Sequence, residues 1–440
     1  MSITILSGKR FCGSVAAPPS KSFLQRAIFC SAFSDKPTII RNFYASEDIS
    51  ASLDFVKELG ADVYLIGSEL KIAPIDVSAL KRAKTYDFYI KESGFVLRCA
   101  IAVCAALGVS ANIYTGEMLL NRPIDGLIFS LSSAGAKIEK TRFGFTLGCK
   151  ANFGEMSVDA SKSSQFLSAL MIASAASRNN SVIKLKGALS SKGYIQITRQ
   201  VMDEFGVTVS VKDNCFAVHG KNGFVSPGGY YAEGDWSSAA VLLSFGLLYG
   251  DVTVTGLNPE SVQPDRKIIS IVKSAGGFIE EKPCLYEKKG ASVSSCDNNS
   301  TAYSAFRAVE SRLLGFDTDV DECVDLFPTI AVLCTFAKNV CIIGGVKRVQ
   351  YKESDRLAAM CKIIRDAGGQ ACISDDKITI FPFEKKFGVF GNTSDHRIAM
   401  AAILLACEAG GEISDENVLS KSFPNFPEIF KLLGGDFSVT

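Results

Sequence analysis

The sequence lacks an excess of charge of either sign: 47 Lys and Arg residues stand against 46 Asp and Glu, a formal charge of +1 at pH 7. Without a basic excess there is no electrostatic argument for binding nucleic acid or an acidic membrane surface. The chain also lacks an apolar run of the roughly 18 residues that a membrane-spanning helix needs. We therefore expect no nucleic-acid partner and no membrane partner, and any anion must be bound by local groups of charge.

Metal-ligand patterns are also missing. The chain has only two histidines, and none of its fourteen cysteines pair at Cys-x-x-Cys spacing. We therefore expect no metal and no cofactor. Several cysteines, such as Cys99, Cys104 and Cys334, lie in small apolar helical runs, as buried thiols in a reducing compartment do. Because the N-terminus also lacks a signal-peptide core, we predict a cytoplasmic protein.

The chain contains an internal repeat, and its 440 residues are too many for one ordinary core. Helical segments rich in Ala, Leu, Cys and Ser begin near Ser20, Ser93, Ser163, Ser237, Asp325 and Ser394. Amphipathic segments between them end at glycines that suit a left-handed helix C-cap, each followed by an extended run: Gly60, Gly135, Gly206, Gly276, Gly368 and Gly434. The pattern predicts six similar units in two domains, with a break near the turn-rich residues 226–229.

The repeat also predicts the architecture. A period of about 70 residues is too long for the common solenoid repeats, so a linear array is not expected. Helices that are apolar on all sides must be buried, and strands and amphipathic helices must surround them. We therefore expect an α/β (α+β) fold built of two three-unit domains.

Two short charged segments precede apolar helical runs. In the first, Lys352, Glu353, Asp355 and Arg356 come directly before Leu357, and we expect Glu353 and Arg356 on one face of the first helical turn. The second is Asp395-His396-Arg397. One interpretation is a solvated helix start capped by Ser354 or Asp355. The other is an anion site, because cationic side chains and free amides at a helix start bind phosphate or carboxylate.

Further segments extend this pattern through the whole chain, and their order resembles that of the 5-enolpyruvylshikimate-3-phosphate synthase family. The segments are Pro19-Ser20-Lys21-Ser22 with Gln25-Arg26, Ser93-Gly94 with Arg98, Arg122-Pro123, Ser163-Ser164-Gln165, Ser191 with Tyr194, Gly234-Asp235, Asp325 with Pro328, Lys352 to Arg356, Asp395-His396-Arg397, and Lys421 with Phe423-Pro424. Each match is weak by itself, whereas their joint order is specific.

The resemblance implies a fold and a reaction. The fold would be two similar domains, each of three βαβαββ repeats with buried inner helices, an inside-out α/β barrel, with the active site in the cleft between the domains. One domain would be residues 19–233, and the other would combine 1–18 with 234–440. The reaction would transfer the enolpyruvyl group of phosphoenolpyruvate to the 5-hydroxyl of shikimate 3-phosphate, and we expect the enzyme to act as a monomer.

Site residues are carried over from the resemblance position by position. For shikimate 3-phosphate they are Lys21, Ser22, Arg26, Ser163, Ser164, Gln165, Ser191, Tyr194, Asp325 and Lys352. For phosphoenolpyruvate they are Lys21, Gly94, Arg122, Gln165, Arg356, Arg397 and Lys421. The catalytic residues would be Lys21, Asp325, Glu353 and His396, with Asp325 favoured as base and Glu353 as acid, although the sequence leaves the reverse assignment open. Arg98 is expected to be structural.

The sequence departs from the family at two places. Glu92 and Phe95 flank Ser93-Gly94 where the common form has Asn-Ala-Gly-Thr, which puts the fit of the family's inhibitor glyphosate in doubt. Arg348 stands where many members have Asn.

Two other functions stay open. UDP-N-acetylglucosamine enolpyruvyl transferase shares the fold, but its mobile-loop cysteine has no evident counterpart here. A repeat-built scaffold without catalysis would have no need for Lys21, Asp325, Glu353 and His396 together.

Overall fold

The computed structural model describes residues 3–80, 84–283, 303–391, 394–414 and 416–439. The chain forms two compact units: a continuous unit, Pro19–Ala232, and a discontinuous unit, Met1–Pro18 with Glu233–Thr440. The boundary expected from the sequence, after residue 233, lies one residue beyond the observed one. The turn-rich residues 226–229 lie just before this boundary.

The strands are β1 (Ile3–Ile5), β2 (Phe11–Ala16), β3 (Thr38–Arg41), β4 (Asp62–Ile66), β5 (Glu69–Ala73), β6 (Thr85–Lys91), β7 (Ser110–Thr115), β8 (Lys137–Thr141), β9 (Gly144–Gly148), β10 (Glu155–Asp159), β11 (Asn180–Lys186), β12 (Val209–Lys212), β13 (Cys215–His219), β14 (Gly229–Tyr231), β15 (Gly250–Leu257), β16 (Phe278–Pro283), β17 (Ser304–Val309), β18 (Asp317–Asp319), β19 (Cys341–Gly344), β20 (Ala371–Ser374), β21 (Lys377–Ile380), β22 (Gly388–Phe390), β23 (Gly411–Ile413) and β24 (Phe437–Val439).

The helices are α1 (Lys21–Ala32), α2 (Glu47–Glu58), α3 (Gly94–Leu107), α4 (Glu117–Leu120), α5 (Asp125–Ser133), α6 (Gln165–Ala176), α7 (Lys192–Glu204), α8 (Trp236–Tyr249), α9 (Ile268–Ser274), α10 (Phe327–Phe336), α11 (Arg356–Asp366), α12 (His396–Ala409) and α13 (Phe426–Leu432). Four short 3₁₀ helices also matter for the site: Pro264–Lys267, Val324–Leu326, Val349–Tyr351 and Glu416–Lys421.

The six predicted repeats appear as six four-stranded sheets, each with one parallel and two antiparallel pairs. In the continuous unit the sheets run β14-β3-β5-β4, β6-β7-β9-β8 and β10-β11-β13-β12. In the discontinuous unit they run β16-β17-β15-β2, β18-β19-β21-β20 and β22-β23-β1-β24. Each sheet is open at both edges, so the expected barrel is not formed by strand pairing in the described part of the chain.

The buried inner helices follow from their composition. Every residue of α3 is buried, and α3 packs on α6, whose first turn is the only part of that helix that reaches the surface. In the discontinuous unit α8, α10 and α12 contact one another in the same way. Small and apolar residues on all sides let these helices approach closely and bury their whole surface. Each unit therefore has its own hydrophobic core.

The predicted glycine C-caps are confirmed. All six glycines have positive φ: 106° at Gly60, 105° at Gly135, 74° at Gly206, 77° at Gly276, 92° at Gly368 and 105° at Gly434. Each ends an amphipathic helix, and a strand starts within three residues. A left-handed residue turns the chain out of the helix, and glycine adopts it without a steric penalty.

No helix among the described residues combines the length and the apolar character that crossing a membrane requires.

Candidate functional site

Eight charged side chains of the discontinuous unit form one cluster, which we call the charged cluster. Its members lie in four segments that are far apart in the sequence: Asp325 on the 3₁₀ helix Val324–Leu326, Lys352 and Glu353 before α11, Arg356 at the start of α11, Asp395, His396 and Arg397 at the start of α12, and Lys421 at the end of the 3₁₀ helix Glu416–Lys421. The two helix starts recognised in the sequence therefore belong to one site.

Arg356 is the centre of the charged cluster. Its Nε donates to Asp395 Oδ2 at 2.7 Å, and its Nη1 donates to Asp325 Oδ1 at 2.7 Å. The side chain is only 1% exposed and that of Asp395 is 0% exposed, so this is a fully desolvated pair. Burial disfavours the charge of Arg356, but the two aspartates outweigh it and the net result is a raised pKa. The guanidinium is therefore permanently charged.

Asp325 is surrounded by cations. Besides Arg356, its carboxylate has Lys352 Nζ at 3.5 Å and Arg397 Nη2 at 3.3 Å. Burial by itself would raise the pKa of Asp325, but Arg397, Lys352 and Arg356 hold it well below its usual range. Asp325 is thus ionised at every physiological pH. It can accept a proton only when these three cations turn away from its carboxylate.

Glu353 has a different environment. Its Oε2 is 3.0 Å from His396 Nδ1 and 3.1 Å from Lys421 Nζ. A carboxylate that shares a hydrogen bond with an imidazole can exchange a proton with it near neutral pH. The charged cluster therefore contains one carboxylate fixed as an anion and one coupled to a proton carrier.

Glu353, Asp395 and His396 bring potential metal-ligand atoms within 4.8 Å of one another. The charge around them does not suit a divalent cation, because Lys421 is bonded to Glu353 and Arg356 is bonded to Asp395. Two cations already neutralise the same carboxylates. This arrangement is better suited to moving protons than to binding a metal.

Two expectations about this cluster need correction. Glu353 does not lie on the first turn of a helix with Arg356, because α11 begins at Arg356 and Glu353 precedes it. Asp355 caps α11 by accepting from Ala358 N at 3.0 Å, and Ser354 instead donates to Asp395 Oδ2 at 3.1 Å. Asp325 likewise precedes its helix, since α10 begins at Phe327. Glu353 thus lies outside a helix, and Asp325 lies on the short 3₁₀ helix that precedes α10.

In the continuous unit, Lys21 is the first residue of α1, and its Nζ pairs with Asp48 Oδ2 at 2.8 Å. Gln25, one turn later, donates to Asp48 O at 3.3 Å and to Ser93 Oγ at 3.2 Å. The starts of α1, α2 and α3 are therefore tied together. This fixes the position from which the Lys21 ammonium extends.

Arg26 is more deeply buried than a substrate ligand was expected to be. It is 2% exposed, and it donates to Thr198 Oγ1 at 2.7 Å, Ser22 O at 2.8 Å and Tyr194 O at 3.3 Å. Its guanidinium also lies 4.5 Å from the centre of the Phe95 ring. Burial lowers its pKa to about 10. Arg26 therefore joins α1 to α7 by hydrogen bonds and holds the backbone of Ser22 and Tyr194 in position.

Four helices of the continuous unit begin at serines that do not cap them. Ser20, Ser93, Ser164 and Ser191 occupy the N-cap positions of α1, α3, α6 and α7, and none of these described side chains accepts a bond from a first-turn amide. By contrast, Ser46 caps α2 through Ile49 N. Simple capping therefore does not account for these four serines. First-turn amides without a capping side chain are anion donors.

Ser163, Gln165, Ser191 and Tyr194 lie at the starts of α6 and α7. Ser163 Oγ accepts from Gln165 N at 3.3 Å, and Gln165 Oε1 is buried with no hydrogen-bond partner within the described ranges. Ser191 has φ 49° and ψ 58°, a left-handed conformation that is strained for serine. Tyr194, half-buried, follows in the first turn of α7. Strained backbone and unmatched polar atoms at adjoining helix starts indicate a ligand site.

A second group in the same unit centres on Gly94, the first residue of α3. Arg98 donates to Gly94 O at 2.8 Å and Pro123 O at 2.6 Å, as expected of a structural arginine. A Cβ at Gly94 would be only 2.7 Å from Arg122 Nη1 and 2.8 Å from Arg98 Nη1. Burial, and then Arg122, hold the pKa of Arg98 well below its usual value. Glycine thus lets two guanidinium groups approach a helix start, where an anion would relieve their repulsion.

The residues that depart from the family have plain structural explanations. Phe95 is 5% exposed and packs edge-on against Phe29, so its ring lies in the core. Glu92 instead extends towards Gly116, and its carboxylate would meet a Cβ at that position. Arg348 pairs with Asp321 Oδ1 at 2.6 Å. Of the two departures that flank Ser93-Gly94, only Glu92 adds a charge, and its carboxylate lies at Gly116.

Sequence reasoning missed three residues. Asp395 was recognised as part of a motif, but its role as the buried partner of Arg356 was not predicted; its position at a helix N-cap was the available signal. Asp48, the partner of Lys21, follows Ser46-Glu47 at another helix start. Thr198 accepts from Arg26 and pairs with Ser168 at 2.8 Å, and no local signal indicated it.

Comparisons with known proteins find relatives over nearly the whole chain. The family model described as EPSP synthase (3-phosphoshikimate 1-carboxyvinyltransferase) matches residues 5–430. A 3-phosphoshikimate 1-carboxyvinyltransferase of an Enterobacter species is 31% identical, with 97% of each chain covered. The protein of that name from Serratia proteamaculans is 32% identical, with 94% of this chain and 95% of the relative covered.

Solved structures show the same fold. EPSP synthase from Acinetobacter baumannii has a TM-score of 0.80 at 20% identity, with both chains fully covered. The enolpyruvyl transferase NikO from Streptomyces tendae has a TM-score of 0.73 at 13% identity, with 100% of this chain and 98% of NikO covered. Since the family model spans nearly the whole chain and relatives above 30% identity match end to end, the chain belongs to the EPSP synthase family.

Proposed function

We propose that this enzyme transfers the enolpyruvyl group of phosphoenolpyruvate to the 5-hydroxyl of shikimate 3-phosphate, giving 5-enolpyruvylshikimate 3-phosphate and phosphate. This is a step of the shikimate pathway towards chorismate and the aromatic amino acids. Membership of the EPSP synthase family and the names of the relatives support the reaction. The observation that carries the residue assignment is the contrast between two carboxylates of the charged cluster, Asp325 and Glu353.

The reaction needs a base and an acid at the same time. Addition forms a bond between the 5-oxygen and C2 of phosphoenolpyruvate, while the hydroxyl loses its proton and the methylene carbon gains one. Elimination then returns a proton from the new methyl group to the acid and releases phosphate. The balance is two substrates for two products, and no oxidant or cofactor is required.

We assign Asp325 as the base and Glu353 as the acid. Three cations hold Asp325 as an anion. When the anionic groups of the bound substrates attract those cations, the Asp325 carboxylate becomes able to accept the hydroxyl proton. Glu353 shares a hydrogen bond with His396, which can supply the proton that Glu353 delivers to carbon. His396 thus serves the acid, and Lys421 stabilises Glu353 after it has given up its proton.

Shikimate 3-phosphate is assigned mainly to the continuous unit. The phosphate would be bound by Ser163, Ser164, Gln165 and Ser191 at the starts of α6 and α7, where the N-cap residues Ser164 and Ser191 make no capping bond. Tyr194 and Ser22 would contact the ring and its carboxylate, and Arg26 would hold both in place. From the discontinuous unit, Asp325 and Lys352 would contact the acceptor hydroxyl. The proposal therefore requires residues of both units to act on one substrate.

Phosphoenolpyruvate is assigned to cations from both units. Arg122 and the Gly94 amide would bind it in the continuous unit, together with Lys21 and Gln165. In the discontinuous unit, Arg397 and Lys421 belong to the set, and both are mostly buried and paired with carboxylates of the charged cluster. Arg356 is buried, and its Nε, Nη1 and Nη2 all donate to Asp325 or Asp395, so we propose that it acts on phosphoenolpyruvate through its charge and by holding Asp325.

The test is phosphate release by the purified enzyme supplied with phosphoenolpyruvate and shikimate 3-phosphate together. We expect turnover that requires both compounds. UDP-N-acetylglucosamine in place of shikimate 3-phosphate should give none. Turnover with the sugar nucleotide alone as acceptor, or no turnover with either acceptor, would overturn the proposal; the second result would favour the non-catalytic scaffold.

Lys21→Met should lose activity about 10²-fold while the protein stays folded, because methionine keeps the length of the stem but removes the charge proposed to contact the acceptor hydroxyl and the leaving phosphate. Asp48 is itself mostly buried, so the loss of its partner should lower stability modestly without unfolding the protein. The measurement is kcat for phosphate release, with Lys57→Met in the last turn of α2 as the matched control. A kcat within about threefold of the parent, ~0.7 kcal/mol, would contradict the assignment.

Glu92→Asn should change inhibitor selectivity without loss of turnover. Glyphosate, the inhibitor known for this family, is longer than phosphoenolpyruvate, and Glu92, two residues before Gly94, adds a negative charge to this segment. We expect the ratio of the glyphosate inhibition constant to the phosphoenolpyruvate KM to fall by at least about fivefold. Phe95→Thr should instead destabilise the core by about 2–4 kcal/mol, since the ring is buried. An unchanged ratio in Glu92→Asn would refute a role for this carboxylate.

We also propose that the enzyme acts as a monomer in the cytoplasm, without nucleic-acid or membrane partners. The buried free thiols of α3 and α10 support a reducing compartment. Sedimentation of the purified protein tests the oligomeric state.

A further inference from the structure

The continuous unit contains a cavity of about 490 Å³, which we call the α5 cavity. It lies between the C-terminal half of α5 and the sheet β10-β11-β13-β12. Its polar walls are formed by Ser130, Ser133, Glu155, Ser157 and Lys184. None of the residues that line it is assigned to either substrate above. The volume lies within the range of small-molecule sites, which combine apolar surface with a few polar groups.

The sheet side of the α5 cavity is built from the outward side chains of neighbouring strands. In the parallel pair of β10 and β11, Glu155 is opposite Val182 and Ser157 is opposite Lys184. Cys215 on β13 is opposite Lys184 on its other side. Because the side chains of a strand alternate between the two faces, these five side chains share the outer face of the sheet. The strand register therefore places a carboxylate, a hydroxyl and an ammonium beside one another, facing α5.

Ser130, on the helix side, is the residue that points to a ligand. It lines the cavity and is only 2% exposed, and its Oγ has no hydrogen-bond partner within the described ranges of the chain. A buried helical serine ordinarily donates to the carbonyl four residues earlier, as Ser174 does to Leu170 O at 2.7 Å. A buried hydroxyl without a partner is unfavourable unless a bound molecule satisfies it. The unmatched donor of Ser130 thus marks the inner end of the cavity as a place for an acceptor.

Two opposite charges stand at the mouth of the α5 cavity. Glu155 and Lys184 are exposed, and neither is tied to another side chain among the described residues. They are two residues out of step on adjacent strands, so their Cα atoms are about 8 Å apart. Long side chains that start at this separation can bind the two charged ends of one small molecule. A ligand with a single charge would be attracted by one of them and repelled by the other.

Apolar surface completes the α5 cavity. Ala134, Met156 and Val182 line it beside the polar groups. Val182 is 39% exposed, which is unusual for a valine inside a strand and leaves apolar surface in contact with water. An apolar part of a ligand would cover this surface. The lining therefore suits a molecule that carries both charges and an apolar group.

We infer that the α5 cavity binds a small zwitterion with an apolar side chain, the chemical class of the apolar α-amino acids. Lys184 pairs with the carboxylate of the ligand and Glu155 pairs with its ammonium. Ser130 donates its unmatched hydroxyl to a carboxylate oxygen, and Val182 contacts the apolar side chain. This site is separate from the reaction, because it uses no residue of the charged cluster or of the helix starts assigned to the substrates.

Calorimetric titration of the full-length enzyme with L-phenylalanine, and with L-leucine as a second apolar probe, tests the inference. We expect saturable binding at one site per chain. Phenylacetate and phenethylamine each lack one of the two charges of phenylalanine and should bind at least about fivefold more weakly. L-Alanine, which lacks a large apolar group, should also bind more weakly. No binding of either apolar probe, or equal binding of phenylalanine and phenylacetate, would overturn the inference.

Variants locate the binding. Glu155→Gln and Lys184→Gln should each weaken phenylalanine binding about three- to fivefold, the effect expected of exposed charges. Lys212→Gln is the matched control, since Lys212 is exposed on β12 of the same sheet and does not line the cavity. Lys21→Met, in the proposed active site, should also bind phenylalanine as the parent does. Loss of binding in Lys21→Met, with parental binding in the two cavity variants, would place the ligand in the active site and refute the inference.

Ser130→Ala separates a ligand contact from a structural role. Alanine removes the unmatched hydroxyl, so the Tm of the free variant should equal or exceed that of the parent. Binding of phenylalanine should nevertheless weaken at least about tenfold, because the carboxylate loses a buried donor. A lower Tm with unchanged binding would show that the hydroxyl is structural. These measurements need no turnover, so they stand or fall independently of the proposed reaction.

Discussion

Asp325→Asn should lower kcat for phosphate release by about 10³-fold, within the range expected for loss of a general base. Asparagine keeps the shape of the side chain but cannot accept the hydroxyl proton. The fold should survive, because Arg356 retains its 2.7 Å bond to Asp395. Since shape and the remaining cations are unchanged, the KM values for both substrates should change much less than kcat.

The matched control is Asp366→Asn, which removes an aspartate of the same unit whose partner, Lys362, is a surface residue. It should leave kcat within about twofold of the parent. Glu353→Gln distinguishes the two carboxylates: if Glu353 is the acid, its loss should remove proton delivery to carbon, which incorporation of solvent deuterium into the methylene group of the product detects. Asp325→Asn with near-parental kcat would exclude this residue as the base.

Arg356→Met should destabilise the discontinuous unit by about 3–5 kcal/mol, the usual effect of removing one partner of a buried ion pair. Methionine fills a similar volume, but Asp395 is left as a desolvated carboxylate at 0% exposure. Denaturant unfolding followed by Trp236 fluorescence measures the change, because this tryptophan lies in the discontinuous unit.

The loss of stability in Arg356→Met should depend on pH in a definite direction. Burial opposes ionisation of Asp395, but the charge of Arg356 outweighs the effect of burial. The pKa of Asp395 is therefore lowered in the parent protein. A lowered folded-state pKa contributes stability above the unfolded value, near 4, and that stability is lost as the pH falls through the folded value. The difference between parent and variant should therefore be largest at neutral pH and shrink in acid.

Two further variants serve as controls for the Arg356 prediction. Arg365→Met, on the exposed side of α11, should change stability by less than about 0.5 kcal/mol. Arg356→Met combined with Asp395→Asn should recover part of the loss, since no uncompensated charge remains. A single variant as stable as the parent at pH 7 would show that Asp395 is not desolvated in solution.

Much of the fold could be predicted from the sequence because its signals are local. The six glycines of the repeat, from Gly60 to Gly434, mark helix ends through a left-handed backbone conformation that other residues avoid. Small apolar residues around α3 require burial regardless of the neighbours. Repetition of these signals six times predicted six units. Even so, the sequence did not indicate that β1 and β14 complete sheets begun elsewhere in the chain.

The sequence by itself determined which residue types stand at the helix starts, and so which anions and proton donors the chain can offer. Only the tertiary structure decided which of them pair: Arg356 with Asp325 and Asp395, and Glu353 with His396. The physical reason is that desolvation and Coulomb energy depend on distances in the folded chain, whereas helix capping and periodicity depend only on sequence neighbours.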